Sequence, residues 1–178
     1  MSSYCEIAPG HPYHGYYHDK EYGFPVTTDK KLFERLILEI NQAGLSWLTI
    51  LKKREGFRNA FSDYNPELVA TYSETEIGKL MEDRSIIRNR LKINAVIKNA
   101  QKICELQDTH GSFCLWIESH HPLEKREWVK LFKKTFLFTG EQITGEFLMS
   151  IGYLPGAHKK SCHIYSKIAQ LEPPFLGR

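Results

Sequence analysis

Two groups of residues carry types and spacings that can do chemistry. The first is a set of metal donors. His158-Lys159-Lys160-Ser161-Cys162 places two good zinc donors four residues apart, and on a helix both would project from one face about one turn apart. Cys5 and His18 are too distant from each other for a compact zinc knuckle. They lie towards the opposite end of the chain, however, and the four together complete a tetrahedral Cys2His2 shell. A shell filled by four protein ligands leaves no position for water, so a metal held this way is structural rather than catalytic. Closing so long a loop also removes entropy from the unfolded chain, which adds stability. His14 and His163 are near enough in sequence to be rival donors, whereas Cys104 and Cys114 sit on apolar stripes and read as buried small hydrophobes.

The second group surrounds Glu39. Counted from Leu32 and Leu36, position 39 falls on the apolar side of a helix, where a carboxylate must find donors or a cation, or take up a proton. Tyr13, Tyr16, Tyr17 and Tyr22 crowd around His14 and His18, and Gln42-Ala43-Gly44-Leu45-Ser46-Trp47 follows Glu39 closely. Aromatics around one buried acid suit a flat, electron-poor or cationic ring. The alternative is an aromatic core whose tyrosine hydroxyls are satisfied locally.

The elements that must position these groups are helical. Leu32, Phe33, Leu36, Ile37 and Ile40 recur at helical spacing from Asp29 to Ala43, and Gly44 ends that helix. Ser46 caps the next, expected to run through Trp47, Ile50, Leu51, Phe57 and Phe61. Asn65-Pro66 is a capped start, and Ser73-Glu74-Thr75-Glu76 is a capping box. Ile93, Val96, Ile97, Ala100, Ile103 and Cys104 mark a long amphipathic helix. Thr139 with Gln142 predicts a further capping box, a last helix is expected from His158 to Leu171, and a poorly packed tail from 172 to 178. No alternating run suggests a sheet, so the fold class is all-α, a helix bundle in one domain over 1–178.

Composition bounds the partners. A hydrophobic fraction of 42% and 25% charged residues are ordinary for a globular chain. Net charge is only +3, yet Arg84, Arg88, Arg90, Lys92, Lys98 and Lys102 follow one another without an acid, and Lys52-Lys53-Arg54 with Arg58 forms a second cluster. That unevenness is the footprint of a phosphate-binding face or, more blandly, of a solvated helix face. The apolar stretches are far too short to span a membrane, and no basic start followed by an apolar run marks a secretory signal. The expectation is a cytoplasmic protein, with thiols or metal ligands rather than disulfides.

At this point the residues resemble the DNA-3-methyladenine glycosylase I family. The resemblance is carried by Tyr17-His18-Asp19-Lys20-Glu21-Tyr22-Gly23, by Glu39 with Gln42-Ala43-Gly44-Leu45-Ser46-Trp47, and by Leu51-Lys52-Lys53-Arg54-Glu55. Ile86-Ile87-Arg88-Asn89-Arg90-Leu91-Lys92-Ile93 and the terminal His158-x-x-x-Cys162 continue it in the family order. It implies a helix-hairpin-helix DNA glycosylase fold, with the hairpin at about 75–105 and a structural Zn2+ on Cys5, His18, His158 and Cys162 joining the ends at about 1–25 and 152–165.

It further implies a monofunctional base-excision enzyme acting as a monomer on double-stranded DNA that carries 3-methyladenine or a related alkylated purine. Glu39 would be the catalytic residue, with Tyr17, Trp47, His14 and Tyr22 binding the base and Gly44, Leu45, Arg88, Arg90 and Lys92 binding DNA. Ile7, His14 and Tyr22 stand where the family usually has tryptophan, often tyrosine and commonly tryptophan, and Thr139-Gly140-Glu141-Gln142 also departs from its pattern. Those departures leave the lesion preference open. Two competing readings remain: a non-catalytic, zinc-stapled DNA-binding protein of the same fold, and a zinc hydrolase, which would need an open coordination position.

Overall fold

Residue 39 sits where it does because of the helix that carries it. In the computed structural model, which describes residues 3–177, that helix is α3 (Asp29–Gln42), and every residue from Leu32 to Asn41 is buried. A helix buried on nearly all sides belongs at the centre of a bundle. The elements before it are α1 (Tyr4–Ile7) and α2 (His14–Lys20). After it come α4 (Trp47–Lys52), α5 (Arg54–Ala60), α6 (Pro66–Ala70), α7 (Glu74–Glu82), α8 (Arg90–His110) and α9 (Phe113–His120), then α10 (Lys125–Thr135), α11 (Glu141–Ser150) and α12 (His163–Ala169). No strand occurs among the described residues. Met1, Ser2 and Arg178, included in the domain span expected from sequence, lie outside the described residues.

α3 is surrounded by α4, α6, α8, α9 and α11. Their inward faces, with those of α5 and α10, join one apolar cluster that includes Leu36, Phe57, Val96, Ile103, Phe113, Trp128, Phe132 and Phe147. Asp29, in the first turn of α3, also accepts the backbone amides of Phe113 and Cys114 at 2.9 and 3.0 Å, so one carboxylate fixes the start of α9 against α3. Gly56 marks a close approach: a Cβ there would lie 2.4 Å from the Ser85 carbonyl, so only glycine lets α5 back onto the α7–α8 connection.

Three charged side chains on the buried stretch of α3 test how the bundle tolerates charge. Glu34 accepts from Arg54 Nε at 2.9 Å, and Arg35 Nη2 lies 2.8 Å from Glu21. Arg54 also grips Glu21 with both terminal nitrogens, at 2.8 and 2.6 Å, tying the end of α2 to α3 and α5. Glu39 has no such protein partner among the described residues.

Both predicted caps at Asn65 and Ser73 are present, as is the long helix from Arg90. Five expectations about the elements and the core need correction. The helix capped by Ser46 breaks at Lys53 into α4 and α5. Thr139 does not cap α11: its hydroxyl donates to the Phe132 and Phe136 carbonyls, both at 2.9 Å, and Gly140 takes the N-cap position. The last helix begins at His163, with His158 to Cys162 in the turns before it, so the His-x-x-x-Cys pair converges without a helix face. The tail is packed where it touches Gly152, because Pro173 is buried and the Phe175 amide donates to the Gly152 carbonyl at 3.1 Å. Cys104, too, is only half-buried, whereas Cys114 is buried as expected.

Candidate active site and metal centre

Consecutive residues of α2 face two different sites. Tyr17 faces an aromatic chamber, and His18 faces a cluster of donors. The chamber encloses about 250 Å³ between Tyr4, Tyr17, Tyr22, Glu39, Gln42, Trp47, Gln142 and Glu146. It opens into a recess of about 450 Å³ that shares Glu39, Gln42, Gln142 and Glu146 and is rimmed by Gly44, Leu45 and Gly140. The inner volume is just below that of clefts for drug-sized ligands, roughly 300 Å³ upward, and suits one small planar guest. Tyr22 stacks on Tyr17 with centroids 5.6 Å apart, Trp47 meets Tyr17 edge-on at 5.0 Å, and Tyr4 meets Tyr22 edge-on at 5.5 Å.

Glu39 lies against this chamber, 5% exposed. Burial pushes its carboxyl up to about 8, the nearby negative charge of Glu146 adds to the rise, and Arg35 offsets part of it. Beside it the Tyr17 hydroxyl and two nitrogens of Arg35, Nε and Nη1, are buried without a hydrogen-bond partner. The Arg35 guanidinium lies 4.8 Å from the Tyr17 ring centroid. Arg35 lies outside the chamber lining, but the Tyr17 hydroxyl belongs to it, and a buried hydroxyl left unmatched at an aromatic slot is costly unless a guest completes it.

The donor cluster brings together all four residues picked from sequence. One ligand atom each from Cys5, His18, His158 and Cys162 lies within 4.8 Å of the others. Cys5 Sγ is 3.7 Å from His158 Nδ1, and Cys162 Sγ is 3.7 Å from His18 Nε2 and 3.6 Å from His158 Nδ1. A tetrahedral zinc with bonds of about 2.3 Å to sulfur and 2.05 Å to nitrogen sets neighbouring S and N roughly 3.6 Å apart. The outer nitrogens are occupied: His18 Nδ1 lies 2.7 Å from Asp19 Oδ1, and His158 Nε2 lies 2.7 Å from the Tyr22 carbonyl. Those contacts orient the free lone pair of each imidazole to the cluster centre, as a metal requires. His14 and His163 are not among the four.

The residues expected at DNA are divided. Gly44, at φ +79°, turns the chain at the end of α3 and presents Leu45, 41% exposed, at the rim of the recess. Arg88 and Arg90 are exposed on either side of Asn89, which caps α8, and Arg90 pairs with Glu74. Lys92 is a correction. It is buried, and its ammonium donates to the Asn41 and Ala43 carbonyls at 2.9 and 2.7 Å, because the open carbonyls ending α3 attract a cation. His14 is a second correction: it is buried behind Tyr4, its Nδ1 3.2 Å from the Tyr4 hydroxyl, and does not line the chamber. Ile7 is half exposed and lies outside the chamber lining as well.

Comparison with known proteins places this geometry. The methyladenine glycosylase family model matches residues 8–128. DNA-3-methyladenine glycosylase of Haemophilus influenzae is 36% identical over 165 residues, covering 82% of this chain and 89% of the relative. The chain belongs to the methyladenine glycosylase family. DNA-3-methyladenine glycosylase 1 of Escherichia coli is 35% identical, covering 84% of this chain and 89% of its own length. Among solved structures, a tyrosine-to-phenylalanine variant of 3-methyladenine DNA glycosylase I in complex with 3-methyladenine superimposes with a TM-score of 0.79. It is 30% identical and covers 92% of this chain and 97% of that one.

Within this methyladenine glycosylase, three chamber residues escaped the sequence reading: Tyr4, Gln142 and Glu146. Tyr4 had a usable signal, since it adjoins the donor Cys5 and is carried wherever that donor goes. Gln142 and Glu146 are four residues apart on α11 and so share a face. Glu146 lies beyond the segment the family model matches.

Proposed function

We propose that this methyladenine glycosylase hydrolyses the N-glycosidic bond of 3-methyladenine, or a closely related alkylated purine, in double-stranded DNA. The observation that carries the reading is Glu39: a buried carboxyl without a protein donor, facing a slot walled by Tyr17, Tyr22 and Trp47. Methylation at N3 makes adenine cationic and weakens its bond to the sugar. The flipped base enters the slot, the aromatic faces stack on it, and the Glu39 carboxylate accepts a hydrogen bond from its exocyclic amine. The C1′–N9 bond then breaks with its electron pair going to the base, which becomes neutral. Water adds to C1′ and loses a proton, leaving an abasic site. Among the described residues no lysine faces the chamber, which supports a monofunctional reaction without strand cleavage.

In the same reading Leu45 fills the gap left by the base, and α7, the connection at 83–89 and α8 form the hairpin through which exposed Arg88 and Arg90 meet phosphates. Cys5, His18, His158 and Cys162 hold a structural zinc, supported by the S···N spacing and the oriented imidazoles. Four protein donors leave no position for a reacting water, which disfavours a zinc hydrolase. No helix of the described residues is long and apolar enough to cross a membrane.

The test is chromatography of bases released from alkylated duplex DNA. The chain should release 3-methyladenine, and Glu39→Gln should lower the rate about 100-fold. Damaged DNA bound with no base released would instead establish the non-catalytic DNA-binding protein.

A further inference from the structure

Glu146 gives the chamber a second carboxylate. It projects from α11, which packs against α3, and lines both the chamber and the outer recess. The Tyr22 hydroxyl donates to Glu146 Oε2 at 3.1 Å, which fixes the side chain. Its Oε1 has no protein partner among the described residues, and the side chain is only half-buried. The carboxylate is thus held by one oxygen and offers the other to whatever occupies the slot. Across the chamber stands Glu39, so a guest enters between two acids.

We propose that Glu146 is a specificity-determining residue of this glycosylase, accepting a hydrogen bond from the flipped base with its free oxygen and favouring cationic lesions over neutral ones. The proposal rests on the glycosylase reading and names what that site selects. Two acids facing one guest position are poorly matched to a neutral base and well matched to one positive charge. The same pairing links binding to pH. The ionisable groups facing Glu39 are Arg35 on its own helix, Tyr17 on α2, Tyr22 beyond it, Tyr4 on α1 and Glu146 on α11. Glu146 is the one acid among them that strengthens Glu39's hold on its proton near neutrality. A cationic base expels that proton, so it binds more tightly as pH rises towards 8. Because the positive charge passes from the base to the sugar carbon while the C1′–N9 bond breaks, the total charge near Glu146 is the same in the bound cation and in the transition state, and Glu146 stabilises both about equally. Its effect therefore lies mainly in KM.

Glu146→Gln tests this cleanly, because the amide oxygen still accepts from Tyr22 while the charge is gone. For release of 3-methyladenine from methylated duplex DNA, KM should rise about tenfold, the loss expected for one charge-assisted hydrogen bond. The turnover rate should stay within about twofold, and the acid limb of kcat/KM should move to lower pH. Glu146→Ser, checked by thermal melting, provides a second variant should the glutamine variant fold poorly. An unchanged KM and pH profile in a folded variant overturns the proposal, and so does a fall in turnover with no change in KM. If the wild type releases no base at all, the glycosylase reading fails by itself. Titration with the 3,9-dimethyladeninium cation, which keeps the charge because N9 stays alkylated, followed by tryptophan fluorescence, then still decides the role of Glu146: equal affinity in wild type and Glu146→Gln overturns it, and several-fold weaker binding in the variant supports it.

Discussion

The donor cluster and the aromatic chamber share a wall but follow opposite rules. In the cluster each imidazole has its outer nitrogen bonded, His18 to Asp19 and His158 to the Tyr22 carbonyl. In the chamber the Tyr17 hydroxyl has no partner, and Glu39 keeps a raised affinity for its proton. Tyr22 belongs to both, its carbonyl turned to His158 and its hydroxyl to Glu146. The satisfied region fastens the chain, whereas the unsatisfied one is held ready for a guest. A fold can sustain the second kind of site only if the first kind, and the Arg54–Glu21–Arg35 network, fix its walls.

Removing the proposed zinc should separate the two regions most strongly. Cys162→Ser, or a chelator, leaves the donors of both chain segments without their common ligand and frees α1 and α2 from the turn before α12. A loss of several kcal/mol in a domain of this size lowers Tm by roughly 10 °C or more. The turnover rate for base release, measured well below that melting point, should change by only about twofold. Full metal content and an unchanged Tm in Cys162→Ser would rule out the assignment of the cluster.

Glu39 should behave in the opposite sense, losing activity and gaining stability when changed. In the unfolded chain a glutamate titrates near 4.3, whereas folding raises Glu39 to about 8. Below pH 4 the carboxyl is protonated in both states and contributes nothing to the difference. Between these values the unfolded state ionises while the folded state must keep a proton or bury a charge. The folded state therefore loses stability as pH rises, and the loss is complete above about 8. Glu39→Gln lacks this penalty, so its stability advantage, read as a higher Tm, should grow from pH 4.5 to 8.5 and then level off, on the order of a few kcal/mol at most. Melting curves at matched ionic strength measure it, and a Tm advantage independent of pH would refute the raised proton affinity.

How far these regions were legible from sequence follows from their chemistry. The four donors could be singled out because the family resemblance joined the terminal His158-x-x-x-Cys162 pair to Cys5 and His18, whereas spacing alone left His14 and His163 as rivals; the helix expected beneath His158 and Cys162 is absent. Glu39 could be found because an acid breaks the apolar stripe of α3. Lys92 and His14 could not be placed correctly, since their roles depend on what lies across the bundle: carbonyls ending α3 in one case, Tyr4 in the other. Periodicity states that a helix has an inner face but not what that face meets. Glu146 was missed for the same reason, because only the packing of α11 on α3 turns an ordinary helical glutamate into part of the chamber.

Lys92 gives the smallest and most local contrast, since it belongs to neither region but holds the turn that leads out of one. Its ammonium bridges the Asn41 and Ala43 carbonyls, just before Gly44. Lys92→Met keeps the length of the aliphatic stem and removes only the two hydrogen bonds, leaving carbonyls that water can partly reach at the rim. The stability cost should be about 1–2 kcal/mol. The functional effect should exceed that of an ordinary surface change, because a loosened turn no longer holds Leu45 in register with the recess. Base release from duplex DNA should fall several-fold, while affinity for free 3-methyladenine, which meets no wedge, stays the same. Were Lys92 a phosphate contact instead, the variant would weaken duplex binding more at low salt than at high salt, with a reduced salt slope. Binding isotherms at two or more salt concentrations distinguish the two roles, and an unchanged slope together with slower release is the outcome that the buried ammonium requires.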